Sequence, residues 1–337
     1  MDKLSIILLC NQEDSFRGED TKLTELDGAE TIEKIVSALE SKGHEVKTLE
    51  ANESAFDTLA KRDYDIVFNI AEGDRGRNRE SYWPGVLEML DVPFIGPGLQ
   101  GTLLTFDKAL AKKIVKHHGL ETPEFEVCYS VSDIQSAERT LTDGKLTYPA
   151  FVKLNNHGSS ISLDTGSLVK NKGELREKVS SLLVEYDQPV LIEEYIAGRE
   201  FTIGVLGEDP QIVLPPLETH ISPDVGVDFI VQSLKFDQHD KRGKAFPTRE
   251  QLESLAGELD RYAKVAHKVL ECKDFSRTDV RVRDGRVYFL ETNCFPGLGP
   301  WSTFPLQSRQ GGIVYEDMIN TVLESAVNRQ KIPYKVS

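Results

Sequence analysis

The sequence predicts an α/β protein at its N-terminus followed by two α+β lobes, and three observations support this. Strand and helix patterns alternate between residues 4 and 95, which is typical of a parallel, doubly wound sheet. A buried strand at 189–193 is followed by the short linker 194–200 and a new strand, which indicates a hinge between two lobes. A β-hairpin pattern with polar ends lies at 278–293. With 337 residues, the chain is long enough for two or three domains.

Hydrophobic periodicity defines the N-terminal elements. Residues 4–10 are almost all apolar, which predicts a buried strand. Apolar residues between Ile32 and Leu39 recur with the i, i+3, i+4, i+7 spacing of a helix, and Gly43 ends that helix. The same reasoning predicts strands at 4–10, 44–49, 64–70 and 92–95 and helices at 28–42, 54–61 and 82–90.

A loop with three arginines follows the third predicted strand. Arg75, Arg77 and Arg79 lie between this strand and the next helix, in a chain of net charge −15. Open α/β sheets bind ligands at this position, and backbone N–H groups at a helix start suit an anion. We therefore expect the loop to contact substrate; a solvated basic loop is the alternative.

The middle of the chain alternates between lysine-bearing elements and polar loops. Lys108 lies on a predicted helix at 102–118, and Lys153 lies near the end of a predicted strand at 148–154. The loop 155–161 is polar and small enough to bend its amides around phosphates, although it lacks the Walker A spacing. We expect its His157 to be solvated. Further predicted elements are an extended segment at 122–129, strands at 201–206, 212–217 and 229–235, an irregular candidate lid at about 215–244, a rigid loop at 296–302, and helices at 131–141, 173–186, 248–271 and 315–327.

The hairpin carries the first candidate site. Asp-Gly at 284–285 is a strong turn signal, and Asp279, Glu291 and Asn293 supply oxygen ligands at its ends. Such ligands suit Mg²⁺ that also holds substrate phosphates. A strict two-residue turn would place Asp279 on the opposite face from Glu291, so we predict a three-residue loop or a bulge near the site. An amphipathic hairpin with solvated ends is the alternative.

Composition limits the partners and the compartment. The net charge of −15 argues against nucleic acid or an anionic membrane as the main partner. No apolar run is long enough to span a bilayer. The four cysteines show no paired spacing, so neither a disulfide framework nor a zinc site is expected, and a cytoplasmic location fits best.

Taken in order, the motifs resemble those of the ATP-grasp superfamily and, within it, the D-alanine–D-alanine ligase branch. The resemblance is collinear from about residue 60 to residue 325. It rests on Phe106-Asp107-Lys108, Phe151-Val152-Lys153, Gly158-Ser159-Ser160, Val190–Glu193 with Gly198-Arg199-Glu200, the Lys235 segment, Arg277-Thr278-Asp279, and Leu290–Asn293 followed by Pro296-Gly297 and Ser302. It implies a Rossmann-like domain at 1–100, a first ATP-grasp lobe at 101–192, and a second lobe with the metal site at 193–330.

The resemblance also implies roles for individual residues. ATP would lie between the two lobes, held by Lys108, Lys153, Ser160, Glu193, Glu194, Ile196 and Glu200. Two Mg²⁺ ions, with Mn²⁺ as a substitute, would be bound by Asp279, Glu291 and Asn293. A substrate carboxylate would become an acyl phosphate that an amine then attacks, with Arg277, Lys235, Ser302 and Ser159 assisting. The implied enzyme is an ATP-dependent, ADP-forming carboxylate–amine ligase that takes a small carboxylic acid and an amino acid and forms a homodimer.

Departures from the family pattern concentrate where the first substrate would bind. The usual histidine after the third strand is Glu72, and the following acidic motif is replaced around Arg77 and Arg79. The tyrosine usual after the lid lysine is Phe236, and no clear equivalent of the family's N-terminal glutamate is found. We expect Glu72, Arg77 and Arg79 to contact a donor acid other than D-alanine. The alternatives are D-alanine–D-alanine synthesis itself, another ATP-grasp phosphotransferase, and a non-catalytic ATP-binding regulator.

Overall fold

The computed structural model of the chain describes residues 3–11, 28–73, 76–144, 146–158, 162–221, 229 and 242–332. Its strands are β1 (Ser5–Cys10), β2 (Glu45–Glu50), β3 (Ile66–Asn69), β4 (Phe125–Cys128), β5 (Ala150–Leu154), β6 (Leu168–Val169), β7 (Val190–Glu194), β8 (Arg199–Leu206), β9 (Ile212–Val213), β10 (Leu217–Ile221), β11 (Arg242–Ala245), β12 (Phe275–Arg283) and β13 (Arg286–Asn293). Its helices are α1 (Ala29–Glu40), α2 (Ala55–Lys61), α3 (Tyr82–Met89), α4 (Leu99–Phe106), α5 (Lys108–His117), α6 (Ile134–Thr142), α7 (Lys172–Tyr186), α8 (Arg249–Leu252), α9 (Leu255–Val269), α10 (Thr303–Gln310) and α11 (Tyr315–Gln330).

The N-terminal sheet is parallel, as predicted, with strand order β2-β1-β3. Alternate residues of β1 enter two different cores, one shared with α1 and α11 and the other with α2 and α3. Both faces of the sheet are therefore buried, one of them by the C-terminal helix. The predicted fourth strand is reduced to a bridge between Val67 and Phe94, because Pro93 has no N–H to extend the ladder.

Two antiparallel sheets form the rest of the molecule. A four-stranded sheet has the order β4-β7-β5-β6 and packs on α6 and α7. A larger sheet has the order β11-β10-β8-β12-β13, with β9 paired to β8, and packs on α5 and α9. The chain passes from one sheet to the other between β7 and β8, where the sequence predicted a hinge.

Several predicted helices differ from those in the structure. The helix expected at 102–118 is interrupted at Asp107, whose extended backbone and carboxylate cap the start of α5. The helix expected at 248–271 is interrupted at Glu253, which has a φ of 48°. Helix α10 was not predicted, because Gln307 and Ser308 are buried on it and disrupt the apolar periodicity.

The hairpin β12–β13 has the bulge that the sequence analysis offered as one of two solutions. Arg283 pairs with Arg286, so the turn has two residues, and Asp284 and Gly285 both have positive φ (51° and 75°). The register then shifts between Asp279 and Val280. The three-residue loop is therefore not used. The bulge within the strand pairing is what brings Asp279 opposite Glu291.

A buried carboxylate joins the N-terminal region to the C-terminal helix. Asp274 is fully buried, and its Oδ2 accepts from the Gly96 backbone N–H at 2.9 Å and from Arg329 at 2.6 Å. Its Oδ1 accepts from the Ser325 hydroxyl at 2.9 Å. Asp274 directly precedes β12 of the larger sheet. These contacts therefore join α11 both to that sheet and to the segment that follows the bridge of the N-terminal sheet. Of the helices in the described part of the chain, none has the length and apolar content needed to cross a membrane.

Candidate active site

A cleft with a volume of about 230 Å³ lies between the four-stranded sheet and the larger sheet. Among the residues predicted to bind ATP, those lining this cleft are Lys108, Lys153, Glu193, Glu194, Ile196 and Glu200. Arg277, Asp279 and Glu291 line its opposite wall. Residues from α5, β5, β7, β8, β12 and β13 thus meet in one space, although they are far apart in the chain.

The bulge brings the predicted metal ligands onto one face. Asp279 lies opposite Glu291, and Arg277 lies opposite Asn293, so the four side chains project from the same side of the hairpin. Asp279 Oδ1 accepts from the Thr202 hydroxyl at 2.7 Å, and Asp279 Oδ2 lies 3.2 Å from Arg277 Nη2. Asn293 Oδ1 accepts from the Phe295 backbone N–H at 2.9 Å, which fixes its orientation.

The charge of Glu291 is secured by nearby cations. Burial alone would raise the pKa of Glu291, but the positive charges of Lys108, Lys153 and Arg277 outweigh it and hold that pKa at about 2. Lys108 Nζ lies 3.4 Å from Glu291 Oε2. Within the described ranges, no group of three or more His, Cys, Asp or Glu residues could hold a metal by itself. The donor set here is instead two carboxylates and one amide oxygen, which suits a hard cation that phosphate oxygens complete.

A second buried charge cluster lies deeper in the cleft. Glu193 receives Lys153 Nζ at 2.7 Å and Lys112 Nζ at 2.9 Å, and Lys112 is fully buried. Burial lowers the pKa of Lys112 to about 8, against the opposing effect of Glu193. Lys112 was not among the site residues predicted from the sequence. The available signal was its i, i+4 spacing from Lys108, which places both lysines on one face of α5.

Arg281 is another residue that the sequence analysis missed. Its buried guanidinium donates to Glu200 Oε2 at 3.0 Å, to the Ile196 carbonyl at 2.9 Å and to the Tyr195 hydroxyl at 3.0 Å. It thereby joins β12 to the segment between β7 and β8 and to a predicted ATP ligand. Strand alternation would have shown that Arg281 shares a face with Asp279.

The three predicted donor residues lie outside the lining of this cleft. Arg79 is 2% exposed, and its Nε lies 3.4 Å from Glu72 Oε2. Arg77 is about half exposed and approaches Asp107 at 3.9 Å instead. In the described part of the loop, one arginine is buried beside a carboxylate and one is at the surface, while Arg75 lies outside the described residues.

The remaining predicted residues are divided between described and undescribed parts of the chain. Ser302 is partly exposed, ends the loop at 296–302 and immediately precedes α10. Ser159, Ser160 and Lys235 lie outside the described residues, as does most of the candidate lid. His157 is not solvated as expected: it is 4% exposed, and burial together with the charges of Arg79 and Lys108 lowers its pKa to about 3.

Comparisons with known proteins identify the family of this chain. The family model described as the D-ala D-ala ligase C-terminus matches residues 114–324. The chain is 31% identical over 304 residues to a D-alanine–D-alanine ligase of Carboxydothermus hydrogenoformans, covering 87% of this chain and 91% of that protein. It is 33% identical over 294 residues to D-alanine–D-alanine ligase B of Chromobacterium violaceum, covering 86% and 90% of the two chains. The fold matches a Bacillus anthracis D-alanine–D-alanine ligase complexed with ATP, with a TM-score of 0.74, 22% identity and coverage of 97% and 99%.

The fold and the cleft define an ATP-dependent, ADP-forming ligase of the ATP-grasp class. Helix α5, both antiparallel sheets and the acidic hairpin fall within the matched residues 114–324 or directly beside them. The chain belongs to the D-alanine–D-alanine ligase family.

Proposed function

We propose that this protein uses ATP and Mg²⁺ to join a small carboxylic acid to the amino group of an amino acid through an acyl phosphate. The observation that carries the proposal is the pairing of Asp279 with Glu291 across the bulge, facing Lys108 and Lys153 in one cleft. Two carboxylates opposite two ammonium groups suit a metal-bound polyphosphate. The metal ions would pair with the carboxylates, and the phosphate oxygens would pair with the ammonium groups.

We assign the nucleotide to the cleft between the two antiparallel sheets. Glu193, Glu194 and Ile196 would contact the base, and Glu200 would accept from the ribose. Lys108 and Lys153 would hold the phosphates, together with Ser160. Asp279, Glu291 and Asn293 would hold two Mg²⁺ ions, for which Mn²⁺ could substitute. When bound, these ions would supply charge neutralisation at the β- and γ-phosphates.

The chain's own residues would then guide the two steps of ligation. The donor carboxylate would attack the γ-phosphate and displace ADP. The amine would next attack the acyl carbon, and loss of a proton from the amine and departure of phosphate would leave the amide. Arg277 would stabilise the negative oxygen that develops in the second step, since it lies beside Asp279 at the cleft wall. Ser302, Lys235 and Ser159 are assigned to acceptor and phosphate contacts on the family resemblance alone.

We further propose that the donor acid differs from D-alanine. Glu72 replaces the usual histidine and would hold an ammonium group, while Arg77 and Arg79 make the donor side more positive. The second candidate is D-alanine–D-alanine ligation itself, which the names of the relatives favour. A phosphotransferase or a purely regulatory protein is not favoured by these comparisons.

A substrate scan tests this function. We expect ATP-dependent phosphate release with Mg²⁺ from at least one acid–amine pair in a panel of D- and L-amino acids and hydroxy acids, and a condensed product by mass spectrometry. Turnover with D-alanine alone would identify the second candidate. ATP binding with no phosphate release from any pair would contradict the ligase proposal for the substrates scanned.

Arg281 should set the affinity for ATP. Replacing Arg281 by Met removes its hydrogen bonds to Glu200, Tyr195 and Ile196, and we expect the KM for ATP to rise about tenfold or more. The KM for the donor should change much less. Steady-state kinetics with ATP varied at saturating donor would measure this, with Arg286→Met, at an exposed position of β13, as the control. An unchanged KM for ATP would remove Arg281 from the nucleotide site.

Three broader features remain proposals. We propose the division at about residues 100 and 192, a homodimer, and a cytoplasmic location. Limited proteolysis would test the division, and analytical ultracentrifugation would test the dimer.

A further inference from the structure

Among the described residues, nothing hydrogen-bonds to one buried edge of the Arg79 guanidinium. Its guanidinium lies 5.0 Å from the centre of the Phe106 ring, and its side chain is 2% exposed. Its Nε and Nη2 atoms are buried and lack hydrogen-bond partners in the part of the chain that the structure describes. These two nitrogens form one edge of the guanidinium, which matches the two oxygens of a carboxylate in a bidentate pair.

The nearest carboxylate does not fill this edge. Glu72 Oε2 lies 3.4 Å from Arg79 Nε, close enough for charge attraction but without hydrogen-bond geometry. Buried guanidinium groups are normally held by hydrogen-bonded partners, because leaving their donors unpaired is costly. The arrangement is therefore what a binding site for an additional anion would require.

His157 provides a second unpartnered group near the same place. Both of its ring nitrogens are buried without a hydrogen-bond partner among the described residues, and Arg79 is near enough for its charge to act on the imidazole. The neutral ring offers one N–H donor. Lys108 Nζ donates to the His157 backbone carbonyl, and the charges of both Lys108 and Arg79 act on the His157 ring, so the three residues lie close together.

The position of Arg79 and His157 relative to the nucleotide cleft indicates which ligand they would bind. Lys108 and His157 line the cleft, and Lys108 Nζ is 3.4 Å from Glu291, a proposed metal ligand. Arg79 does not line the cleft and lies on the loop after β3, where open α/β sheets bind ligands. A donor whose reacting carboxylate lies beside Lys108 would direct its other end toward Arg79.

We propose that Arg79, assisted by His157, binds a second carboxylate of the donor, so that the donor is a short dicarboxylic acid with one carboxylate phosphorylated beside Lys108. This inference rests on the proposed ligase function. It narrows the donor class from a carboxylic acid other than D-alanine to one with two carboxylates.

The test compares matched donors in wild-type protein and in Arg79→Met. The donors are D- and L-aspartate and D- and L-glutamate, each paired with its monoamide, asparagine or glutamine, and D-alanine. We expect a dicarboxylic acid to exceed its monoamide in kcat/KM, and Arg79→Met to lower kcat/KM for that acid about 10- to 100-fold. The value for the monoamide should change little, and Arg79→Lys should fall between. Arg62→Met, an exposed arginine on the same sheet domain, is the matched control.

Two results would overturn the proposal. One is a wild-type protein that uses monoamides or D-alanine as well as dicarboxylic acids. The other is an equal loss for both donor types in Arg79→Met, which would mean that Arg79 and Glu72 form only a structural ion pair.

A binding measurement separates failure of this site from failure of the ligase function. The midpoint of thermal unfolding is followed with Mg²⁺, a non-hydrolysable ATP analogue and each dicarboxylic acid. A rise in wild-type protein that is lost in Arg79→Met would support the site even if no donor is turned over. Absence of any rise in the wild type would overturn it, whether or not phosphate release is observed with other acids.

Discussion

Glu291→Gln is expected to lower ATP-dependent phosphate release about 10³-fold or more. The substitution keeps the size of the side chain and removes its charge from a position opposite Asp279, so a cation would lose one of its two carboxylates. Lys108, Lys153 and Arg277 would then face the site with less opposing charge. Metal stabilisation of transferring phosphate is worth several kcal/mol, and each 1.4 kcal/mol is a factor of ten in rate.

The measurement combines turnover with metal binding. Phosphate release is assayed over a range of Mg²⁺ concentrations, and Mn²⁺ binding in the presence of ATP is followed by electron paramagnetic resonance. Glu45→Gln, at an exposed position of β2, is the control for loss of a carboxylate. Activity within about tenfold of the wild type would show that the metal is held elsewhere.

Glu193→Gln should destabilise the folded protein by about 3–5 kcal/mol, because it leaves two buried ammonium groups without their shared carboxylate. Lys112 has a folded-state pKa of about 8, below its ordinary value of 10.5, and that pKa should fall further without Glu193. Between the folded-state pKa of Lys112 and its ordinary value of 10.5, the unfolded state binds more protons than the folded state. The free energy of unfolding therefore rises with pH across that range. The deficit of the variant should therefore be larger at pH 7 than at pH 9.

Denaturant unfolding at the two pH values would measure this deficit. The double variant Lys112→Met/Glu193→Gln should recover part of the lost stability, since it removes one of the two unpaired charges. Glu258→Gln, which breaks an exposed pair with Arg261, should cost less than about 1 kcal/mol. A deficit for Glu193→Gln no larger than that of Glu258→Gln would mean that the cluster does not stabilise the fold.

The β12–β13 hairpin shows how much can be predicted from sequence patterns. The Asp-Gly turn and the oxygen ligands at the strand ends were readable, and so was the conflict between turn length and ligand face. A bulge and a longer loop both resolve that conflict, and their energies depend on packing against β8, which pairs with β12 along its length. Local sequence therefore predicted the problem. In the structure β12 pairs with β8 without a register shift, and the extra residue, Leu290, lies on β13.

The burial of polar residues was harder to predict. Arg79 and His157 belong to glycine-rich or polar loops, for which solvation is the usual expectation. Both are buried here because Phe106, Lys108 and the loop after β3 converge, and these segments are distant in the chain. Lys112 is a similar case. It lies on α5, which packs on the larger sheet, whereas its partner Glu193 lies on β7 of the four-stranded sheet.

The sequence by itself determined most of the element types, the parallel N-terminal sheet, and which side chains have the chemistry expected of phosphate and metal ligands, because periodicity and side-chain chemistry are local properties. Only the tertiary structure decided which of those residues face one cleft, which charges share a partner, and that α11 covers the first sheet. Those outcomes depend on packing between segments far apart in sequence, where burial and electrostatic interaction are set by neighbours that no local pattern specifies.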